Sequence, residues 1–148
     1  MANIVPYSFP VELLKGNHDF VNDTYTISLY TSIAAYSTAS TVFTATGEVS
    51  SGGGSQYAAQ NLTGNAVSNV ANYATVDFSP DPVWGSPTPA TFSALGAAIY
   101  NLSDSNKLVV VLDFGATFSC SNGTFTVTFP APTAGTPSGA DALLSINS

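Results

Sequence analysis

His18 is the only histidine in the chain, and Asp19 follows it directly. The two side chains offer at most two ligands to a zinc ion that takes three or four from a protein. Neither Cys-x-x-Cys nor His-Glu-x-x-His occurs, and His18 reads as a loop or helix-end residue. Cys120 is the sole cysteine, so no intrachain disulfide can form. A lone cysteine of this kind reads as a small, buried or half-buried hydrophobe. Serines are plentiful, but none lies in Gly-x-Ser-x-Gly. The acids are Glu12, Asp19, Asp23, Glu48, Asp77, Asp81, Asp104, Asp113 and Asp141. A glycosidase needs two of them across a cleft, with cations or amides to hold the substrate. Only Lys15 and Lys107 are positive, which leaves little to stabilise developing negative charge. Asp77 and Asp113 fall in alternating stretches and read as solvent-facing or turn-flanking. Asp77, Asp81 and Asp104 could meet calcium, but no Asp-x-Asp-x-Asp-Gly run is present. The run Ser50-Ser-Gly-Gly-Gly-Ser55 lacks the Gly-Lys-Ser/Thr of a phosphate cradle and reads as a flexible loop. The residues point to no catalytic group, no metal and no cofactor.

The balance of residue types narrows the partners. The chain has 148 residues, 45% of them hydrophobic, enough for one domain with one core. Charged residues are only 7%, so Ser, Thr, Asn and Gln must supply the polar surface. Such a surface suits an extracellular β-domain or a protomer packed in a larger assembly. The net charge of −7 argues against nucleic acid, which needs clustered Lys and Arg. It argues equally against an anionic membrane surface. The first residues lack the basic and apolar regions of a secretory signal. The Asn-x-Ser/Thr triplets at Asn22, Asn61, Asn101 and Asn122 are read as chance in a chain rich in these residues.

One helix is expected, over Ser8–Gly16. Ser8 caps it, Pro10 suits its first turn, Gly16 ends it, and Val11 and Leu14 share a face with Leu13 close by. Alternation then takes over. In Thr24–Thr31 the residues Tyr25, Ile27 and Leu29 point one way, as in a half-buried strand. A polar connection covers Ser32–Thr41, and Val42–Thr46 adds a short strand. Gln56–Leu62 is a strand with Tyr57 and Leu62 inward. Tyr73–Phe78 is another, with Ala74, Val76 and Phe78 on one face. Four prolines in Ser79–Pro89 exclude helix and ladder pairing. Thr91–Tyr100 is a strand in which Gly96 marks a bulge or a close approach. Asn101–Asn106 is a polar turn, and Lys107–Phe114 is a strand covered on both faces. Thr117–Phe129 reads as a hairpin turning at Asn122-Gly123. A Pro/Gly-rich arm spans Pro130–Asp141, and Ala142–Ile146 forms a last short strand.

These elements predict an all-β fold: an antiparallel β-sandwich, immunoglobulin-like or jelly-roll-like, with one short N-terminal helix, as a single domain over 1–148. The expected core is Tyr25, Ile27, Leu29, Val76, Phe78, Val109, Val111, Phe125, Val127 and Phe129. Candidate contact residues are Phe9, Val83, Trp84, Pro130 and Pro132, from the helix, the Pro-rich loop and the arm. Trp84 is weighed both as a contact and as a cover over one end of the core.

The order of elements also carries a resemblance. It runs from the Leu-Leu-Lys-Gly helix and Asn22-Asp-Thr-Tyr-Thr-Ile-Ser-Leu-Tyr30 to Gln60-Asn-Leu-Thr-Gly64. The Ala74–Phe78 strand, the Trp84 loop and Ala97-Ala-Ile-Tyr-Asn101 follow. Leu108-Val-Val-Val-Leu-Asp-Phe-Gly115 and Asn122-Gly-Thr-Phe-Thr-Val127 close it. Over nearly its whole length the chain resembles small virion proteins of tailed bacteriophages. It departs from them in its Gly-rich loop, Pro-rich loop and Pro/Gly-rich tail. The resemblance implies a sandwich that assembles on the particle, as a capsid decoration (cement) protein made in the host cytoplasm and seated on the virion surface. Its expected partners are the major capsid protein and copies of itself, as a trimer. The alternative it implies is a tail, fibre or head–tail adaptor component that grips a host glycan.

Overall fold

Alternating apolar residues need a sheet with something to bury against, and this chain supplies three. The computed structural model describes residues 3–70, 73–130 and 143–147. The helix α1 is Ser8–Leu14. The strands are β1 (Tyr25–Tyr30), β2 (Gln60–Leu62), β3 (Ala66–Val70), β4 (Tyr73–Asp77) and β5 (Val83–Trp84), then β6 (Ala90–Asn101), β7 (Lys107–Gly123), β8 (Phe125–Thr126) and β9 (Leu144–Asn147). They form a four-stranded sheet in the order β2-β1-β6-β7, a three-stranded sheet β3-β4-β9 and a two-stranded ladder β5-β8. All pairings are antiparallel. The fold is all-β and sandwich-like, with one short helix.

The main core lies between the four-stranded sheet and the other layers. It joins Tyr25, Ile27 and Leu29 of β1 to Val76 of β4, and to Phe78, Trp84 and Phe129. A second cluster, including Tyr30, Ile33, Tyr36, Ala98, Leu108 and Val111, covers the sheet's other face. Strand β1 is therefore buried along its whole length, not half-buried as its alternation suggested. The cover comes from the Ser32–Thr41 connection, whose Ile33 and Tyr36 turn inward. The expected strand at Val42–Thr46 shrinks to one bridge, Val42 to Lys107.

Register irregularities decide which faces are filled. A shift between the Ile99 and Tyr100 pairings turns both Val109 and Val110 into the main core. Val111 thereby moves to the opposite cluster, away from the core expected for it. The shift between Ala94 and Gly96 marks the expected irregularity at Gly96. A Cβ there would collide with the Leu112 carbonyl oxygen and come within 2.9 Å of Ile33 Cγ2. No side chain fits that close approach.

Other expectations change. Tyr7, not Ser8, occupies the N-cap position, and Ser8 Oγ is buried without a hydrogen-bond partner among the described residues. Phe9 and Leu13 pack inward, whereas Val11 and Leu14 are 50% and 90% exposed. Gly16 ends the helix with φ +75°, as its position implied. The Pro-rich loop does pair, through the two residues of β5, because its prolines flank the ladder rather than enter it. Thr117–Phe129 is no hairpin. Residues to Gly123 stay on β6, and Phe125-Thr126 pairs with Trp84-Val83. Strand β3 had no counterpart among the expected elements. It is held by Val67 facing Val76 and Ser68 facing Thr75.

Candidate interaction surfaces and the His18 cluster

The expected contact residues do not share one surface. Phe9 points from α1 into the main core, and Trp84 is only 2% exposed. The Trp84 indole N–H donates to the Ala58 carbonyl at 2.7 Å, so both its ring and its polar edge are engaged. Phe9 and Trp84 are therefore core residues, because burying so much aromatic area outweighs keeping it wet. Val83 is partly open at 38%, and Pro130 is exposed. Val83 borders a shallow groove of about 240 Å³ with Gln56, Gln60 and Thr88. Pro132 and the arm beyond it lie outside the described residues.

His18 lies in the loop that follows α1, as its position implied, but its side chain is buried. Its ring lies 5.0 Å from Phe9 and stacks on Phe20 and Tyr25 at 6.2 Å each. Its Nε2 lies 3.3 Å from Glu12 Oε2, and its Nδ1 is buried with no hydrogen-bond partner among the described residues. An Nε2–H tautomer donating to Glu12 satisfies this geometry. Burial pulls the imidazole pKa below its usual 6.5, against the opposing pull of Glu12. Asp19 turns away and accepts from the Val21 and Asn22 amides and the Asn22 side chain. The bond from the Asn22 side chain, with the two amides behind it, holds the Asp19 carboxyl below its usual range. His18 and Asp19 thus serve separate structural tasks. Among the described residues, no three His, Cys, Asp or Glu side chains gather as a metal site.

Other polar groups also work inside the fold. Tyr57 Oη accepts from the Leu29 amide at 2.9 Å and donates to Glu48 at 2.8 Å. Burial raises the ionisation of Tyr25, Tyr30 and Tyr57 well above the usual phenol range. Asn101 is wholly buried and donates to Asn17 and Asp23, so its glycosylation triplet is not accessible in the folded chain.

Two open apolar features were not legible in the sequence. One is a cleft of about 650 Å³ between α1 and the three-stranded sheet. Phe9, Pro10, Leu13 and Phe20 form one wall, and Val67, Val76, Leu144 and Ile146 the other. Val5, Val67 and Ile146 are exposed at 43%, 53% and 55%, and Val11 and Leu14 are exposed elsewhere on α1. The signal was the alternation of Val67 and Ile146, but only their pairing with β4 puts them on one face. The second is an aromatic groove of about 490 Å³ around Phe114, Phe118 and Phe125. Compared with known proteins, the chain has no match among family models, curated proteins or solved structures.

Proposed function

We propose that this protein is a structural subunit of a tailed-phage particle, a decoration protein that binds the outer capsid surface and stabilises the head. The observation that carries the reading is the cleft beneath α1 with its exposed apolar border. An exposed apolar area of this kind is what a protein–protein contact uses. The order of helix, strands and loops, similar to that of small virion proteins, supplies the kind of particle. The partner on this reading is the major capsid protein. Val11 and Leu14 serve as the protruding anchors, and Val67 and Ile146 complete the seat.

Quantitative mass spectrometry of purified particles tests the location. On the order of hundreds of copies per particle are expected for a protein that follows capsid symmetry, against about six or twelve for a tail or adaptor component. Leu14→Lys tests the surface. It is expected to abolish binding to particles stripped of this protein while leaving its thermal unfolding unchanged. Binding that survives Leu14→Lys and Ile146→Lys together would remove the cleft from the capsid contact.

A further inference from the structure

The groove at Phe114, Phe118 and Phe125 is bounded by two strand edges. Strand β7 is the last strand of its sheet. Its first half is covered on the outer side, where Ile4 exchanges both backbone hydrogen bonds with Val111 and Asn3 accepts from the Asp113 amide. Beyond that the cover stops. Gly115–Ser119 are all exposed, and Ala116–Ser121 have no backbone partner other than β6 among the described residues.

The facing wall is Thr124–Thr128. The Val127 amide donates to the Pro82 carbonyl, so Phe125 and Val127 direct their backbone groups at β5. By alternation Thr124, Thr126 and Thr128 direct theirs away from it. Two open edges therefore lie along one groove.

Exposed edges are normally blunted by lysine, proline or an inward charge. Here there is no Asp, Glu, Lys or Arg from Phe114 to Phe129, and no proline. Phe118 is 53% exposed on this edge. Copies with a net charge of −7 repel one another, so they meet most cheaply where neither carries charge. The two edges also match in pattern. Phe118 and Cys120 alternate with Ser119 and Ser121, as Phe125 and Val127 do with Thr124 and Thr126. Apolar and hydroxyl side chains can thus face their own kind across a shared ladder. Among the described residues these edges are not paired within one chain, because β6 and β5 hold them in different layers.

We propose that a second copy of this chain docks here, edge to edge, with Thr124–Thr128 of one copy forming an antiparallel ladder on Thr117–Ser121 of the other. The surface is separate from the cleft beneath α1, so this association stands whether or not that cleft seats on a capsid.

Sedimentation equilibrium of the full chain over a roughly hundredfold concentration range tests it. The wild type is expected to associate, and Phe118→Lys and Thr126→Lys each to weaken association at least about tenfold. Ile146→Lys, on the other sheet, is expected to associate like the wild type. A monomeric wild type at the highest concentration overturns the proposal. So does association undisturbed by both edge substitutions, or abolished by Ile146→Lys. Circular dichroism shows whether the variants fold. If they do not, amide exchange of the wild type decides: the Thr124, Thr126 and Thr128 amides must gain protection as concentration rises. Unchanged exchange at those amides overturns the proposal as well. Loss of capsid binding with association intact would sink only the decoration reading.

Discussion

The middle of the four-stranded sheet and the flank formed by α1, His18 and the three-stranded sheet are built to different standards. In the middle, β1 is buried from end to end, and Ala97–Tyr100 and Leu108–Val111 leave almost nothing exposed. Even a phenol there is tied down, as Tyr57 shows with Leu29 and Glu48. On the flank a cleft stays open, Val11, Leu14, Val67 and Ile146 face water, and His18 keeps a buried nitrogen without a partner. A fold selected for stability alone would close such a cleft. The difference teaches that the centre supplies the free energy of folding, and the flank spends little of its apolar surface on it.

The largest effect belongs to the centre. Gly96→Val places side-chain atoms against the Leu112 carbonyl and the Ile33 methyl, where neither β6 nor β7 can retreat without breaking their ladder. Overpacking a rigid interior on this scale is expected to cost about 4 kcal/mol or more, a large share of the roughly 5–15 kcal/mol that holds a domain together. Urea unfolding is expected to show either loss of the cooperative transition or a strongly lowered midpoint. A mild shift would mean that the centre yields as readily as the flank.

The flank's intermediate effect depends on pH. In the folded state burial disfavours the His18 imidazolium, so its pKa lies below the usual 6.5. The unfolded chain keeps the ordinary value and binds a proton first as pH falls. Stability is therefore expected to drop as pH passes downward from 6.5, and the drop ceases to grow below the folded pKa. Glu12 on α1 and Asp104 beside the β6–β7 turn oppose the shift, and Lys107 adds to it. Protonation would also put an N–H on Nδ1, which has no acceptor. Thermal unfolding from pH 7.5 to 5 checks this, with His18→Phe expected to flatten the slope. The carboxyls of Asp19 and Asp104, held below their usual 3.8, act in a separate, more acidic window. An equal slope in His18→Phe would assign the acid response to other groups.

How much of this was legible in the sequence follows the range of the forces involved. Local sequence pattern revealed β1, β4, β6 and the start of β7, together with Gly16 and Gly96, since each depends on neighbours in the chain. Long-range pairing was not legible. Asn122-Gly123 favours a tight turn, yet β6 and β5 claim the two strands it would have joined. Strand β3 exists only because β4 lies beside it. The contact residues suffered in the same way. Large aromatics such as Phe9 and Trp84 stand out in a sequence, but their size is also what drives them inside. The cleft beneath α1 is bordered by smaller residues, Val67 and Ile146, and the aromatic groove by strand edges, which leave no mark in residue type.

The smallest effect is expected at Ile146, and it is the sharpest test of the contrast. Its side chain lines the cleft but remains 55% exposed, so serine there surrenders little burial. At about 25 cal/mol per Å² of apolar area removed from water, a half-wet side chain returns only part of the 2–5 kcal/mol that truncation costs in a packed interior. The partners also matter. Ile146 sits opposite Ala74 on β4, which is itself exposed, so no sealed cavity forms when the side chain shrinks. Serine lowers β-propensity, but β9 is an edge strand, where that term is small. Ile146→Ser is therefore expected to change urea stability by less than about 1 kcal/mol. A loss comparable to that of a core truncation would mean that the cleft closes in solution around Ile146. The flank would then belong to the core, and its apolar surface would no longer be free for a partner.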